Sequence, residues 1–166
     1  YDVPSGFISV GIGGSGVDSW LPRSTKYPGH GGQFGRIVMA LNEVGPQGAR
    51  ALLWHQGESD SGTEKEKYTL MLKEVINASR IEAGWNLPWV VARASICVNK
   101  GSEKIVIAQQ SVIDDDPLVF EGPNTDEMIG SEWRRDGCHF NGNGLTEHAR
   151  RWYNAITVLL QQIIKK

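Results

Sequence analysis

Pro88-Trp89-Val90-Val91-Ala92 is an unbroken apolar run set between two amphipathic segments. It is too short for a buried helix and lacks the alternation of a half-solvated strand. Such a run fits a strand covered on both faces, as in the interior of a parallel sheet. Ala51-Leu52-Leu53-Trp54 has the same character, Leu118-Val119-Phe120 is a shorter version, and Phe7-Ile8-Ser9-Val10 is a further strand candidate. Helical periodicity fills the intervals. Phe34, Ile37, Val38, Leu41 and Val44 recur at three- and four-residue steps before Gly45-Pro46, an amphipathic helix with a clear stop. Thr63 and Glu66 have the spacing of a capping box for a helix whose Tyr68, Leu72, Val75, Ile76 and Ile81 share one face. Glu103 to Ile113 is predicted helical up to the acidic turn Asp114-Asp115-Asp116-Pro117. A last helix, capped by Thr146 or Asn143, presents Leu145, Trp152, Ile156, Leu159 or Leu160 and Ile163 inward. It ends at Lys165-Lys166, cations suited to the helix dipole. Strand and helix in alternation predict an α/β fold with a mainly parallel sheet and helices on both faces.

With 166 residues, 40% of them hydrophobic and 22% charged, the chain reads as a single domain spanning 1–166 with a real core. A formal charge of -2 and the absence of any basic block give no electrostatic footprint for nucleic acid. Its apolar stretches fall short of the roughly 18 residues a membrane-spanning helix needs, so no membrane partner is expected. The chain opens on Tyr1 and has no signal-like apolar segment, which reads as a processed, trimmed or excised piece. Cys97 and Cys138 match neither a metal motif nor a Cys-x-x-Cys redox pair. They form either a disulfide anchoring the loop near His139 or two buried thiols.

Two polar clusters follow strand-like runs. The first is Trp54-His55-Gln56-Gly57-Glu58-Ser59-Asp60; the second is Asp136-Gly137-Cys138-His139. A three-residue step lets the Asp136 carboxylate orient one imidazole nitrogen of His139 while the other takes a proton from an attacking hydroxyl. That chemistry calls for a buried, paired Asp; the bland alternative is a surface histidine beside a turn-forming Asp-Gly. Gly11-Ile12-Gly13-Gly14-Ser15-Gly16 lacks the spacing of a dinucleotide fingerprint. In a parallel sheet, loops at the carboxyl ends of strands carry the ligand chemistry. Gly14 can offer a backbone N–H and Gln56 a side-chain amide to a developing oxyanion, with Glu58 bracing the loop, or both segments are structural turns. His30, His55, His139, Asp136 and Glu58 match no dedicated zinc or calcium pattern, so no metal and no cofactor is expected. His148 is expected on a solvent-exposed helix face.

Taken together, Gly13-Gly14-Ser15-Gly16-Val17-Asp18-Ser19-Trp20, the Trp54 to Asp60 block, Gly122-Pro123-Asn124-Thr125-Asp126 and Asp136-Gly137-Cys138-His139-Phe140 resemble the SGNH-hydrolase superfamily. The likeness is to its branch of carbohydrate esterase family six and sialate O-acetylesterases, and it covers nearly the whole chain. It implies a three-layer α/β/α fold and cofactor-free removal of O-acetyl groups from a carbohydrate such as acetylated xylan. It also implies His139 as general base, Asp136 as its orienting partner, and Gly14 and Gln56 at the oxyanion hole. A secreted or extracytoplasmic setting is the location it favours. Family members carry their serine in a Gly-Gln-Ser-Asn-like block after the initial central strand, and no such block stands in this sequence. Ser15 aligns with the family's Thr, and Ser5 precedes the first strand candidate. The expectation is therefore a domain whose first central strand and nucleophile lie on an N-terminal companion segment. The alternative is a catalytically inactive carbohydrate-binding or structural module of the same fold.

Overall fold

The computed structural model describes residues 6–22 and 32–164. Three parallel strands, β1 (Leu52–Trp54), β2 (Trp89–Arg93) and β3 (Val119–Asn124), form a sheet in the order β1-β2-β3. The register pairs Leu53 with Val90 and Val90 with Phe120. Helices α1 (Gln33–Val44), α2 (Lys65–Ala83), α3 (Glu103–Asp115) and α4 (Gly142–Ile164) complete the fold. Alternate residues of the strands explain the layering. Trp54, Trp89, Val91 and Val119 share one core with Phe34 and Ile37 of α1, Tyr68, Leu72 and Val75 of α2, and Ile105 and Ala108 of α3. Helix α4 joins none of these; it packs on β3 and β2, on the face carrying Val90 and Phe120. The result is a partial α/β/α arrangement with helices on both faces of the sheet.

β3 runs four residues beyond the apolar run that ends at Phe120, through Glu121-Gly122-Pro123-Asn124. Gly122 explains the extension. A Cβ there would sit 2.8 Å from the backbone of Val91 and Ala92, so only glycine lets β3 lie this close to β2.

Several local expectations are corrected. Phe7–Val10 forms no strand: Phe7 is 77% exposed, and the Val10 carbonyl accepts from Arg36 instead of a neighbouring strand. β-structure needs a paired neighbour, and none of the described strands pairs with this segment. The capping box is absent as well. Thr63 turns its hydroxyl to Asp60 at 3.3 Å, and α2 starts after Glu64, with no side-chain cap. Ile81 is 79% exposed. Asn141, not Thr146 or Asn143, caps α4, its side-chain oxygen accepting from Gly144 N–H at 2.9 Å. Leu145 is 58% exposed on α4, whereas Leu159 is buried. His30, Ser5 and Lys165-Lys166 lie outside the described residues. Among the described residues, no helix is long and apolar enough to cross a membrane.

Candidate active site

Residues 55–60, 94–102 and 125–141 follow the carboxyl ends of β1, β2 and β3, the edge where open parallel sheets hold their ligands. Here the Asp136–His139 pair is assembled. Asp136 Oδ1 accepts from the backbone N–H groups of His139 (2.7 Å) and Cys138 (3.0 Å), and Oδ2 lies 2.8 Å from His139 Nδ1. These three contacts, the His139 N–H foremost, hold the Asp136 carboxyl well below the usual carboxylate range. Gly137 makes the turn possible: its φ is +76°, and a Cβ there would meet the Asn99 side chain at 2.6 Å. Asn99 N–H donates to the Gly137 carbonyl at 2.9 Å, tying the turn to the loop after β2. The Asp is paired but not buried, in contrast to expectation. Side-chain exposure is 47% for Asp136 and 65% for His139, because a tight turn satisfies the carboxylate locally without a roof over it. His139 Nε2 has no hydrogen-bond partner among the described residues.

Gln56 sits buried on the loop after β1, beside the glycine segment. Its amide nitrogen donates to the Ser15 carbonyl at 3.0 Å and to Asp60 Oδ2 at 2.5 Å, while its oxygen accepts from the Tyr68 hydroxyl at 3.1 Å. Both amide hydrogens are thus engaged, and Gln56 stands as a brace, not as the free donor expected from sequence. Asp60 also accepts from Val17 N–H at 2.9 Å, and burial pushes its carboxyl pKa up. Gln56 and Asp60 thus hold the Ser15 carbonyl and the Val17 N–H of the segment in which Gly14, with a φ of +72°, makes a turn. Ser15 is structural: its hydroxyl donates to the Ile12 carbonyl at 2.8 Å and accepts from Trp20 Nε1 at 2.9 Å. Glu58 lies 3.7 Å from His55 Nδ1, as a loop support would.

His55 and Thr125 imitate a second catalytic set, with Glu58 on one ring nitrogen and the Thr125 hydroxyl 3.1 Å from the other. Thr125 is fully buried and its hydroxyl donates to the Arg93 carbonyl at 3.1 Å, so it meets no substrate. His55 is instead the floor of an aromatic cluster. His148 lies edge-on at 5.0 Å, and Phe140 packs on His148 at 4.9 Å. The expected solvent-exposed His148 is corrected: it is half-buried, accepting from Trp152 Nε1 at 3.0 Å. Burial, then the charges of His55 and Arg134, push its pKa down to about 4; burial likewise lowers that of His55. The unfolded chain therefore binds more protons than the folded one between about pH 6.5 and 4. Stability is complete above that window and falls as pH drops through it. Thermal unfolding across the window should show this slope, and His148→Gln should flatten it; an unchanged slope in the variant would refute the assignment.

Cys97 and Cys138 form a disulfide, with Cα atoms 4.1 Å apart across 41 residues of sequence. It joins the loop after β2 to the residue preceding His139. Thiol titration of the denatured, unreduced protein should find none, and reduction should lower stability by about 2–4 kcal/mol; two reactive thiols would contradict the bridge. Sequence reading did not single out Asp126, Gln109 or Arg134. Asp126 accepts from the backbone N–H groups of Ser95 (2.8 Å) and Ile96 (3.1 Å). Gln109 bridges Gln56 O and Ala94 O at 2.8 and 2.9 Å. Arg134 is 4% exposed among backbone carbonyls. Of the three, only Asp126 lay inside a recognisable block, Asn124-Thr125-Asp126.

A cleft of about 770 Å³ opens at the other end of the sheet, lined by Arg50, Trp85, Pro88, Leu118 and Val158 among others. It lies at the amino ends of the strands, away from both polar clusters. Among the described residues, no three His, Cys, Asp or Glu side chains are grouped to hold a metal ion. A family model described as carbohydrate esterase, sialic acid-specific acetylesterase, matches residues 2–157. Neither the curated proteins nor the solved structures compared with the chain give a match.

Proposed function

Because the chain belongs to the sialic acid-specific acetylesterase family of carbohydrate esterases, we propose that it is the base-bearing part of a serine esterase that removes O-acetyl groups from a carbohydrate. That family carries acetylesterase activity toward sialic acid or other carbohydrate acetyl groups. The observation supporting a role for these residues is the Asp136–His139 pair at the carboxyl edge of the sheet. His139 Nε2 takes the proton of a serine hydroxyl as the oxygen attacks the acetyl carbon, then delivers it to the departing sugar oxygen. Water, activated by the same nitrogen, releases acetate. Asp136 holds the tautomer and stabilises the imidazolium. Gly14 N–H faces the developing oxyanion, and Gln56 serves that hole by holding the Ser15 carbonyl and hence the glycine loop. Glu58 steadies the loop after β1, which carries Gln56, through His55. An acetylated xylan is a fitting substrate, since the base stands exposed where a polymer can approach.

The serine comes, in this reading, from a segment that lays a strand along β1. Two features support it. β1 is an edge strand of the described sheet whose Leu52 and Leu53 are only half-buried, and Phe7–Val10 has no strand partner among the described residues. An added strand would cover that edge and could pair Phe7–Val10 in turn. A fluorophosphonate probe tests the placement: the 1–166 chain should remain unlabelled, and the native protein should be labelled on a serine outside it. A labelled serine within 1–166 would overturn the companion segment. A native protein that neither reacts with the probe nor releases acetate from an aryl acetate would instead be an inactive module.

A further inference from the structure

Arg134 carries a buried charge with no carboxylate in direct contact among the described residues. Its guanidinium is surrounded by backbone carbonyls. Nε donates to Met128 O at 2.7 Å, Nη2 to Thr125 O at 3.0 Å, and Nη1 to Cys138 O and, at 3.5 Å, Ile96 O. Its carbon lies 4.5 Å from the centre of the Phe140 ring. These carbonyls come from the loop after β2, the loop after β3 and the turn that bears His139. Burying a guanidinium is costly unless its donors are met, and a planar fork meets several carbonyls at once where a lysine ammonium would not.

The Cys138 carbonyl and the His139 N–H belong to one peptide unit. Arg134 holds the carbonyl edge of that unit, and Asp136 Oδ1 holds its N–H edge at 2.7 Å. The other Asp136 oxygen holds the imidazole. A cation at one edge and an anion at the other polarise the same amide, so each hydrogen bond strengthens the other. The disulfide and the guanidinium grip the same residue, since Cys138 carries both the sulfur bridge and the clamped carbonyl.

We propose that Arg134 is a positioning residue for His139: by clamping the Cys138–His139 peptide from the side opposite Asp136, it sets where the imidazole stands relative to the reacting ester. The proposal rests on His139 being the general base. The clamp itself exists whether or not the protein is an esterase, and this separates the two tests.

In the wild-type 1–166 chain, hydrogen exchange followed by NMR should find the His139 amide strongly protected although its side chain is mostly exposed. Rapid exchange there would overturn the clamp without any variant. In Arg134→Lys, the Asp136 carboxyl, followed by carbon NMR against pH, should titrate closer to an ordinary carboxylate, because the amide and ring contacts that hold it down loosen. In the native active protein, the same substitution should lower kcat for an aryl acetate by about 10- to 100-fold, as expected for a small misplacement of a catalytic group, with KM within about twofold. A purely structural Arg134 would give a lower melting temperature with Asp136 titration and kcat per folded molecule unchanged, and that result would refute the proposal. Absence of esterase activity in the wild type would remove the base assignment while leaving the exchange and titration results to decide the clamp.

Discussion

Replacing His139 with Ala should lower turnover of a small aryl acetate by at least about 10³-fold in the native, serine-bearing protein, the scale expected when one member of a mutually dependent triad is lost. The geometry makes this a clean substitution. The His139 side chain is 65% exposed, so little packing is removed. The turn also survives, because Asp136 still accepts the two backbone N–H groups. Melting temperature should therefore hardly move while kcat collapses. Asp136→Asn should give a loss of similar order for a different reason. An amide oxygen can still accept the backbone N–H groups, but its NH2 cannot accept the hydrogen bond from Nδ1–H, so the ring is left in the wrong tautomer. Steady-state kinetics and thermal unfolding on the same preparations decide the matter; near-normal turnover in His139→Ala removes it from the base role.

Gln109→Leu should be among the most destabilising single substitutions in the chain, at about 2–6 kcal/mol, because it orphans two buried peptide groups at about 1–3 kcal/mol each. Gln109 has no exposure to solvent. Its oxygen accepts from Ala94 N–H at 2.9 Å, and its nitrogen donates to Ala94 O and Gln56 O. Leucine fills a similar volume, so the loss reports hydrogen bonding and not a cavity. Gln56 O keeps a share of the Tyr68 hydroxyl hydrogen, which lies 3.0 Å from it and 3.1 Å from Gln56 Oε1, so the main damage falls on the Ala94 peptide groups. Urea unfolding of the 1–166 chain measures it, and a loss under about 1 kcal/mol would mean that these groups find other partners. The loops after β1 and β2 are joined through this one side chain, so Gln109→Leu should also loosen the Gln56 brace on the Ser15 carbonyl.

Several features were written locally and could be read without coordinates. Helix α1 stops at Gly45 as expected because both its apolar periodicity and its stop signal lie within the segment itself. The continuous burial of Trp89 to Ala92 follows from an apolar run that water would penalise anywhere else. The Asp136–His139 contact was legible for the same reason: the partners stand three positions apart, and Gly137 supplies the turn.

Other features depended on residues distant in sequence. Phe7–Val10 has the side chains of a strand, but a strand exists only through the hydrogen bonds of a neighbour. Gln56 looked like a donor aimed outward until Ser15 and Asp60 were seen to take both its hydrogens. His148 is covered by His55, which lies far from it in sequence, and no helix periodicity encodes that stacking. Arg134 lies in a stretch of charged and polar residues, and nothing in that stretch tells of the four carbonyls around it, one of them from Ile96 in the loop after β2. By itself the sequence determined the parallel α/β pattern, the family and the carboxylate–imidazole pair, all carried by short-range spacing and apolar burial. Tertiary structure alone decided which polar groups are already satisfied, and so which are left to do chemistry, because hydrogen-bond partners meet through space and not along the chain.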